Sequence, residues 1–449
     1  MKFITTTFFY DFARYFDFIE MEILKKIPES SFFNISIYPC SEKYWNRIGI
    51  HSLQLARDHD SECDVYSYEN YKSLIDELIK FNLETLKLHG RENEKQYLIE
   101  LAVKYLNKLD PIFEREKFDY LISSGESRLI PSVVIYLAKK HGVKIIYFEQ
   151  GPFNTTMLDT KGVNANISFK PTFKSLTAEE ETRLSDFLST YKNIPAKKFW
   201  LDKKNTQSNR YAKYLTLLSM YPPALLRRFI SLDLQLGPTL YEGYIKPNIT
   251  KLNNRLFKKR NNTNSTAISL ADNDYIALYL QVPVDAQLIS HSPYYNCFYE
   301  MLVDTLNAKP KHINLIVREH PMNRGKYDPR IYELIKQRED VWLENDVSLE
   351  ILIKNSMCSV VNNSAVGIES LLFGVNVVCL GEAYYADKGI TYDVRNNDYK
   401  EVLNQAMNTA FDSKKTNSFL YEFIFDYLSH GHFQDENLRI PEFIFSIMK

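Results

Sequence analysis

In Phe118-Asp119-Tyr120-Leu121-Ile122-Ser123-Ser124-Gly125-Glu126-Ser127 a β-rich run breaks at a turn of small and polar residues. An apolar stretch from about Ile130 to Lys140 has helical spacing and carries Pro131 in its first turn, where no intrahelical N–H is lost. Gly142 ends it, and Val143-Lys144-Ile145-Ile146-Tyr147-Phe148 reads as the next strand. Strand, helix, strand in this order predicts parallel pairing, and parallel sheets collect ligands at the carboxyl ends of their strands. Glu149 stands at such an end.

Upstream, Asn34-Ile35-Ser36-Ile37-Tyr38 reads as a buried strand before Pro39, and Tyr71 to Leu106 as long helices, with Leu74, Ile75, Leu78 and Ile79 on one face. Downstream the alternation becomes regular. Strands are expected at 275–280, 313–317, 341–343, 359–361 and 375–380, and helices at 294–306, 329–336, 349–354 and 365–373, with a helical tail. Between these blocks, residues 258–266 are rich in Lys and Asn and lack apolar residues, which suits a linker. The expected division is therefore 1–266 and 267–449.

A chain of 449 residues exceeds one ordinary core and suits two. Its 45% hydrophobic and 25% charged residues are those of a globular protein, and 55 basic against 56 acidic side chains leave no field for nucleic acid. Five scattered cysteines without C-x-x-C spacing point away from disulfides and thiolate zinc, toward a reducing cytoplasm. Charges interrupt the first apolar run too early for a signal peptide, and no apolar run reaches membrane-spanning length. The 31 Tyr and 28 Phe residues fill cores on one reading and stack on sugars or meet lipid on another.

Five constellations carry candidate chemistry. Arg318-Glu319-His320-Pro321 closes a strand, so His320 and Arg318 face either a ligand phosphate or ribose, or simply the backbone. In Asn362-Asn363-Ser364-Ala365-Val366-Gly367, Ser364 is a fitting helix cap and Gly367 allows close approach, whether for a phosphate or as an ordinary cap. Gln281-Val282-Pro283-Val284-Asp285 leaves the first strand of the second half. Asp285 there is either a nucleophile toward an anomeric carbon or a loop residue capping the next turn. Glu149-Gln150-Gly151-Pro152, with Asp159 and Gly162-Val163-Asn164 after it, offers a carboxylate for acid/base work, with Glu126 a second candidate. Finally, 210–229 mixes basic, aromatic and aliphatic residues, as in a packed hairpin or a membrane-surface helix pair. Neither G-x-x-x-x-G-K-[ST] nor G-x-G-x-x-G occurs, so the usual signatures of ATP and dinucleotide binding are missing.

With Glu149-x-Gly151, Gly162-Val163, Gln281-x-x-x-Asp285, His320-Pro321 and Ser364-x-x-Gly367-x-Glu369-x-Leu371-Leu372-x-Gly374 in this order, then Gly381 and Tyr385-Ala386-x-x-Gly389-x-Thr391, the chain resembles the bacterial capsule polysaccharide biosynthesis family. Known enzymes of that family are retaining β-Kdo transferases. The resemblance implies an α/β, GT-B-like fold of two Rossmann-like domains facing a central cleft, with helical insertions. It implies transfer of Kdo from CMP-Kdo to a saccharide or lipid-linked acceptor, with Asp285 as nucleophile and Glu149 as a catalytic or acceptor-side carboxylate. CMP would rest on Arg318, His320, Pro321, Asn363, Ser364 and Gly367, with Gln281 beside them and Glu369 toward the ribose or base. Neither metal nor cofactor is expected. The alternatives are a transferase for another CMP-activated acidic sugar, or a non-catalytic glycan- or lipid-binding subunit of a capsule assembly complex. The site of action would be the inner face of the cytoplasmic membrane.

Overall fold

The computed structural model describes residues 1–55, 63–193, 241, 245–259, 274–283, 285–440 and 442–448. The segment 210–229 and most of the expected linker at 258–266 lie outside these residues. Lys258 and Lys259 are instead the last two residues of a helix.

The first unit opens with β1 (Lys2–Thr7), α1 (Tyr10–Lys26), β2 (Ser31–Ser36), α2 (Pro39–Arg47) and β3 (Ser52–Leu53). It continues through α3 (Lys72–Leu88), α4 (Lys95–Glu116), β4 (Tyr120–Ser124), α5 (Leu129–Lys140), β5 (Lys144–Gln150) and β6 (Thr155–Asp159). β1 and β4 are buried almost throughout, as parallel-sheet strands covered on both faces must be. Pro131 sits in the first turn of α5, and Gly142, at φ +69°, takes the left-handed conformation that stops it.

Helices α6 (Ala178–Asn193) and α7 (Lys246–Lys259) precede the second sheet. There β7 (Tyr275–Tyr279), α8 (Ala286–His291), α9 (Phe298–Ala308), β8 (Asn314–Arg318), α10 (Pro329–Lys336) and β9 (Val341–Leu343) follow one another. Then come α11 (Leu349–Lys354), β10 (Cys358–Val361), α12 (Val366–Leu372), β11 (Val377–Cys379) and β12 (Tyr392–Asp393). The chain ends with α13 (Tyr399–Asn408), α14 (Ser413–Tyr421), a π-helical turn at Glu422–Tyr427, β13 (Ser429–His430) and α15 (Glu442–Ile447). Helix α9 starts at Phe298 rather than at the expected Tyr294, because Ser292 Oγ donates to the Tyr295 carbonyl and holds a loop there.

The first sheet has the order β13-β6-β5-β4-β1-β2-β3 and the second β12-β11-β10-β7-β8-β9. All pairs are parallel except β5–β6 and β6–β13. Each sheet grows from its first strand in one direction and then reverses. The reversal falls between β1 and β4 in the first sheet and between β7 and β10 in the second. Both doubly wound, Rossmann-like sheets expected of a GT-B-like chain are present.

The units are bounded differently from the expected 1–266 and 267–449: one holds Met1–Ser168 and Tyr427–Lys449, the other Phe169–Asn193 and Tyr244–Asp426. Packing explains both shifts. Phe169 lies 5.7 Å from Phe419 and 5.2 Å from Phe423, and the Glu422 carboxylate accepts from the backbone N–H groups of Thr172 and Lys174. The tail, expected to be helical throughout, returns to the first sheet: β13 pairs with β6, and Phe433 packs edge-on against Phe12 at 4.5 Å.

Candidate functional site

In the second unit, loops leaving β7 and β10 meet at the point where strand order reverses, the crevice in which open α/β sheets hold ligands. Gln281 and Asn363, 82 residues apart, bridge them: Gln281 Nε2 donates to Asn363 Oδ1 at 2.8 Å. Asn363 Nδ2 in turn donates to the Gln287 and His291 carbonyls of α8 at 2.8 and 3.0 Å. Both side chains are buried. Their amides join the two loops and α8.

Asp285, half-buried, occupies the cap of α8 and accepts from Gln287 N at 3.4 Å. The capping role foreseen for it is therefore real, and the cap fixes the carboxylate at the mouth of β7. Ser364 is not the cap of α12; that position is Ala365. Ser364 Oγ instead accepts from Val366 N at 3.3 Å, while its carbonyl accepts from the Tyr385 hydroxyl. Gly367 does permit a close approach at the start of α12. The group approaching it closely is the Tyr385 ring, which a Cβ would strike.

At the end of β8, Arg318 Nη1 donates to the Val347 carbonyl at 2.6 Å, and burial lowers the guanidinium pKa. The His320 N–H donates to the Tyr327 hydroxyl at 3.1 Å, and that hydroxyl donates to the Gln281 carbonyl at 3.0 Å. His320 Nδ1 accepts from Met322 N at 3.3 Å. In the neutral ring the proton is thereby assigned to Nε2. Pro321 begins a single 3₁₀ turn, Pro321–Asn323. Glu369, half-buried on α12, accepts from the Tyr191 hydroxyl of α6 at 3.3 Å, and burial raises its carboxyl pKa.

Two groups beside this edge were given no role in the motif reading. Buried Glu319 accepts from Gly325 N, from Asn345 Nδ2 and from the Tyr332 hydroxyl, and so shapes the loop after His320. That loop brings Arg324 close enough to Arg318 for each charge to oppose the other, and Arg324 Nε is buried without a hydrogen-bond partner among the described residues. Arg324 Nη1 also lies 3.5 Å from Asp346 Oδ1 and its Nη2 donates to the Asn345 carbonyl, so this second guanidinium at the strand end is already partly paired. The only signal for it was an Arg four residues past His320, which by itself means little.

In the first unit, Glu149 lies near the end of β5 opposite Met157, half-buried, and its Oε1 accepts from Gln150 N at 3.0 Å. It is one strand away from the reversal between β1 and β4. Glu126 is in the turn directly at that reversal, where burial raises its carboxyl pKa and Asn166 Nδ2 donates to it at 2.7 Å. Asp159 is structural, accepting from Lys161 N, from Ser168 N and Oγ, and from the Tyr427 hydroxyl.

Two reversing parallel sheets with polar strand-end loops define an α/β protein of two Rossmann-like units. The chain belongs to the capsule polysaccharide biosynthesis protein family, whose model matches residues 120–424. It is 25% identical over 289 residues to the capsule polysaccharide export protein KpsS of Escherichia coli, covering 61% of this chain and 70% of that one. It is 31% identical over 121 residues to the capsule polysaccharide modification protein LipB of Neisseria meningitidis serogroup A, covering 25% of this chain and 29% of that one. Among solved structures, the β-Kdo 2,4 transferase of Thermosulfurimonas dismutans KpsC aligns with a TM-score of 0.38 at 14% identity, over 68% of this chain and 79% of that one. No described helix is long and apolar enough to cross a membrane.

Proposed function

We propose that the protein is a retaining glycosyltransferase of surface-polysaccharide assembly, moving Kdo from CMP-Kdo to a saccharide or lipid-linked acceptor at the inner face of the cytoplasmic membrane. Membership of the capsule family supports the pathway. The observation that carries the chemistry is Asp285, fixed by its cap at the reversal of the second sheet, beside the loops bridged by Gln281 and Asn363.

In this reading an Asp285 carboxylate oxygen bonds to the anomeric carbon as the bond from that carbon to the CMP phosphate oxygen breaks. The electron pair leaves on the phosphate, whose charge is met by Arg318, Arg324 and the Nε2–H of His320. Glu369 turns from Tyr191 to the nucleotide's ribose. An acceptor hydroxyl then attacks the same carbon, the sugar–carboxylate bond breaks, and the hydroxyl proton passes to a general base.

Intact-mass spectrometry after incubation with CMP-Kdo tests this: the expected product is a sugar adduct on Asp285, absent from Asp285→Ala. Transfer by Asp285→Ala at near wild-type rate would refute the mechanism. CMP release from another CMP-activated acidic sugar, and not from CMP-Kdo, would keep the mechanism and change the donor. The description of the Escherichia coli relative as an export protein favours a second reading, a non-catalytic glycan- or lipid-binding subunit. That reading requires that CMP not bind, which calorimetry decides.

A further inference from the structure

Helix α8 carries Asp285 at its cap, and its other end, His291, is gripped by loops from two further strands. The His291 carbonyl accepts from Asn363 Nδ2, after β10, at 3.0 Å and from Glu382 N, after β11, at 2.8 Å. One residue on, Ser292 Oγ accepts from Asn362 Nδ2 at 2.8 Å. Gly381 makes this convergence possible, since a Cβ there would stand 2.6 Å from Asn362 Oδ1 and 3.0 Å from the His291 carbonyl oxygen. The His291 side chain is 5% exposed and sets Nδ1 3.7 Å from Glu382 Oε2. The other oxygen of that carboxylate lies 3.4 Å from Arg395 Nη1, just past β12, and Arg395 in turn pairs with Asp387.

A helix of six residues is too short to hold its own shape, and its last carbonyls have no partner within it. The placement of α8 therefore comes from Leu288, buried beneath it, and from the contacts at its two ends. At 3.7 Å the ring and Glu382 fall short of a hydrogen bond, so the carboxylate stays with Arg395. Burial holds the ring's pKa below its ordinary value against the opposing pull of Glu382, so the neutral ring belongs to this arrangement. A proton on the ring would draw Glu382 across from Arg395 and disturb the seam between α8 and the loop after β11. We infer that His291 is a positioning residue for Asp285: it ties α8 to the loops after β10 and β11, so that a shift at this end of the helix moves the carboxylate at the other. The inference rests on the transferase reading above and makes attack by Asp285 fail as the ring takes up a proton.

Two measurements on the full chain test it. The first needs no donor: the carboxyl-carbon NMR signal of Asp285, assigned by its loss in Asp285→Asn, is expected to move as the His291 ring titrates. The second is the rate of adduct formation with CMP-Kdo against pH, read by rapid-quench intact-mass spectrometry. In wild type this rate is expected to fall on the acid side with the pKa of His291. His291→Gln is expected to form the adduct about tenfold more slowly, without that acid limb and with CMP affinity unchanged in calorimetry. Glu382→Gln removes the group that raises the ring's pKa, so the NMR titration and the acid limb should move together to lower pH. It keeps His291 in place and carries the test alone if His291→Gln does not fold. An Asp285 signal indifferent to the ring, an acid limb that stays while the ring's pKa moves, or equal losses of rate and CMP affinity would overturn the inference. A wild type that forms no adduct would sink the donor reading alone, since the Asp285 signal still decides whether the two ends of α8 are coupled.

Discussion

Glu20 is a buried carboxyl on α1 whose pKa is pushed up to about 8, by burial first and by Asp17 in addition, against one donor, Asn34 Nδ2 at 3.4 Å. Because the folded pKa lies above the unfolded one, the neutral acid stabilises the fold fully below the unfolded value near pH 4.5, and this is lost as pH rises through about 8. Glu20→Gln is therefore expected to leave the melting temperature unchanged at pH 4 and to raise stability by ~2–4 kcal/mol at pH 9. Gly367→Ala should act in the opposite sense at every pH, by ~1–3 kcal/mol in chemical denaturation, because the added methyl group meets the Tyr385 ring. This glycine marks the limit of what residues alone disclose. A Gly in the first turn of a helix has the same appearance whether a phosphate or an aromatic ring approaches it, and the ring comes from a residue 18 positions away. Asp285 was legible as a cap because capping is local; the Gln281–Asn363 bridge was not, because no local pattern records a pairing across 82 residues.

Most strands and helices of the second sheet were legible to within two residues, although α9 starts four residues later than expected and α8 and β12 were not foreseen. α10 and α11 fall on the expected 329–336 and 349–354, since Asp328 and Ser348 cap them and apolar periodicity fills them. Short parallel strands such as β9 and β10 were visible as β-branched apolar runs between turns. At the end of the sheet remote from the candidate site, Lys309 follows α9 and is almost wholly buried, donating to the Ile313 carbonyl at 2.7 Å and to Asp340 at 2.6 Å. Arg338 donates to the same carboxylate, and these bonds hold its pKa well below the usual range. Asp340→Asn leaves a buried ammonium without its counter-charge. A loss of ~3 kcal/mol in urea denaturation is expected.

Over the whole chain, the compact units interleave in sequence: residues 427–449 complete the unit that residues 1–168 begin. Sequence reading missed this return because β13 is two residues long and too short to show any periodicity. What holds it is tertiary. Arg14 Nη2 donates to the carbonyls of Phe433 and Asp435 at 2.9 and 3.0 Å, and Ile444 is fully buried in the first core. Removing residues 428–449 is expected to lower the melting temperature of the first unit by several degrees or more and to expose α1 to limited proteolysis. The same connectivity constrains biosynthesis. While a ribosome is still translating, the second sheet has its described strands once residue 393 has emerged, but the sheet begun first must wait, its β6 edge open, until Ser429 and His430 have emerged. Pausing or stalling between codons 393 and 429 would therefore leave the sheet begun first, not the one begun second, exposed to chaperones and proteases.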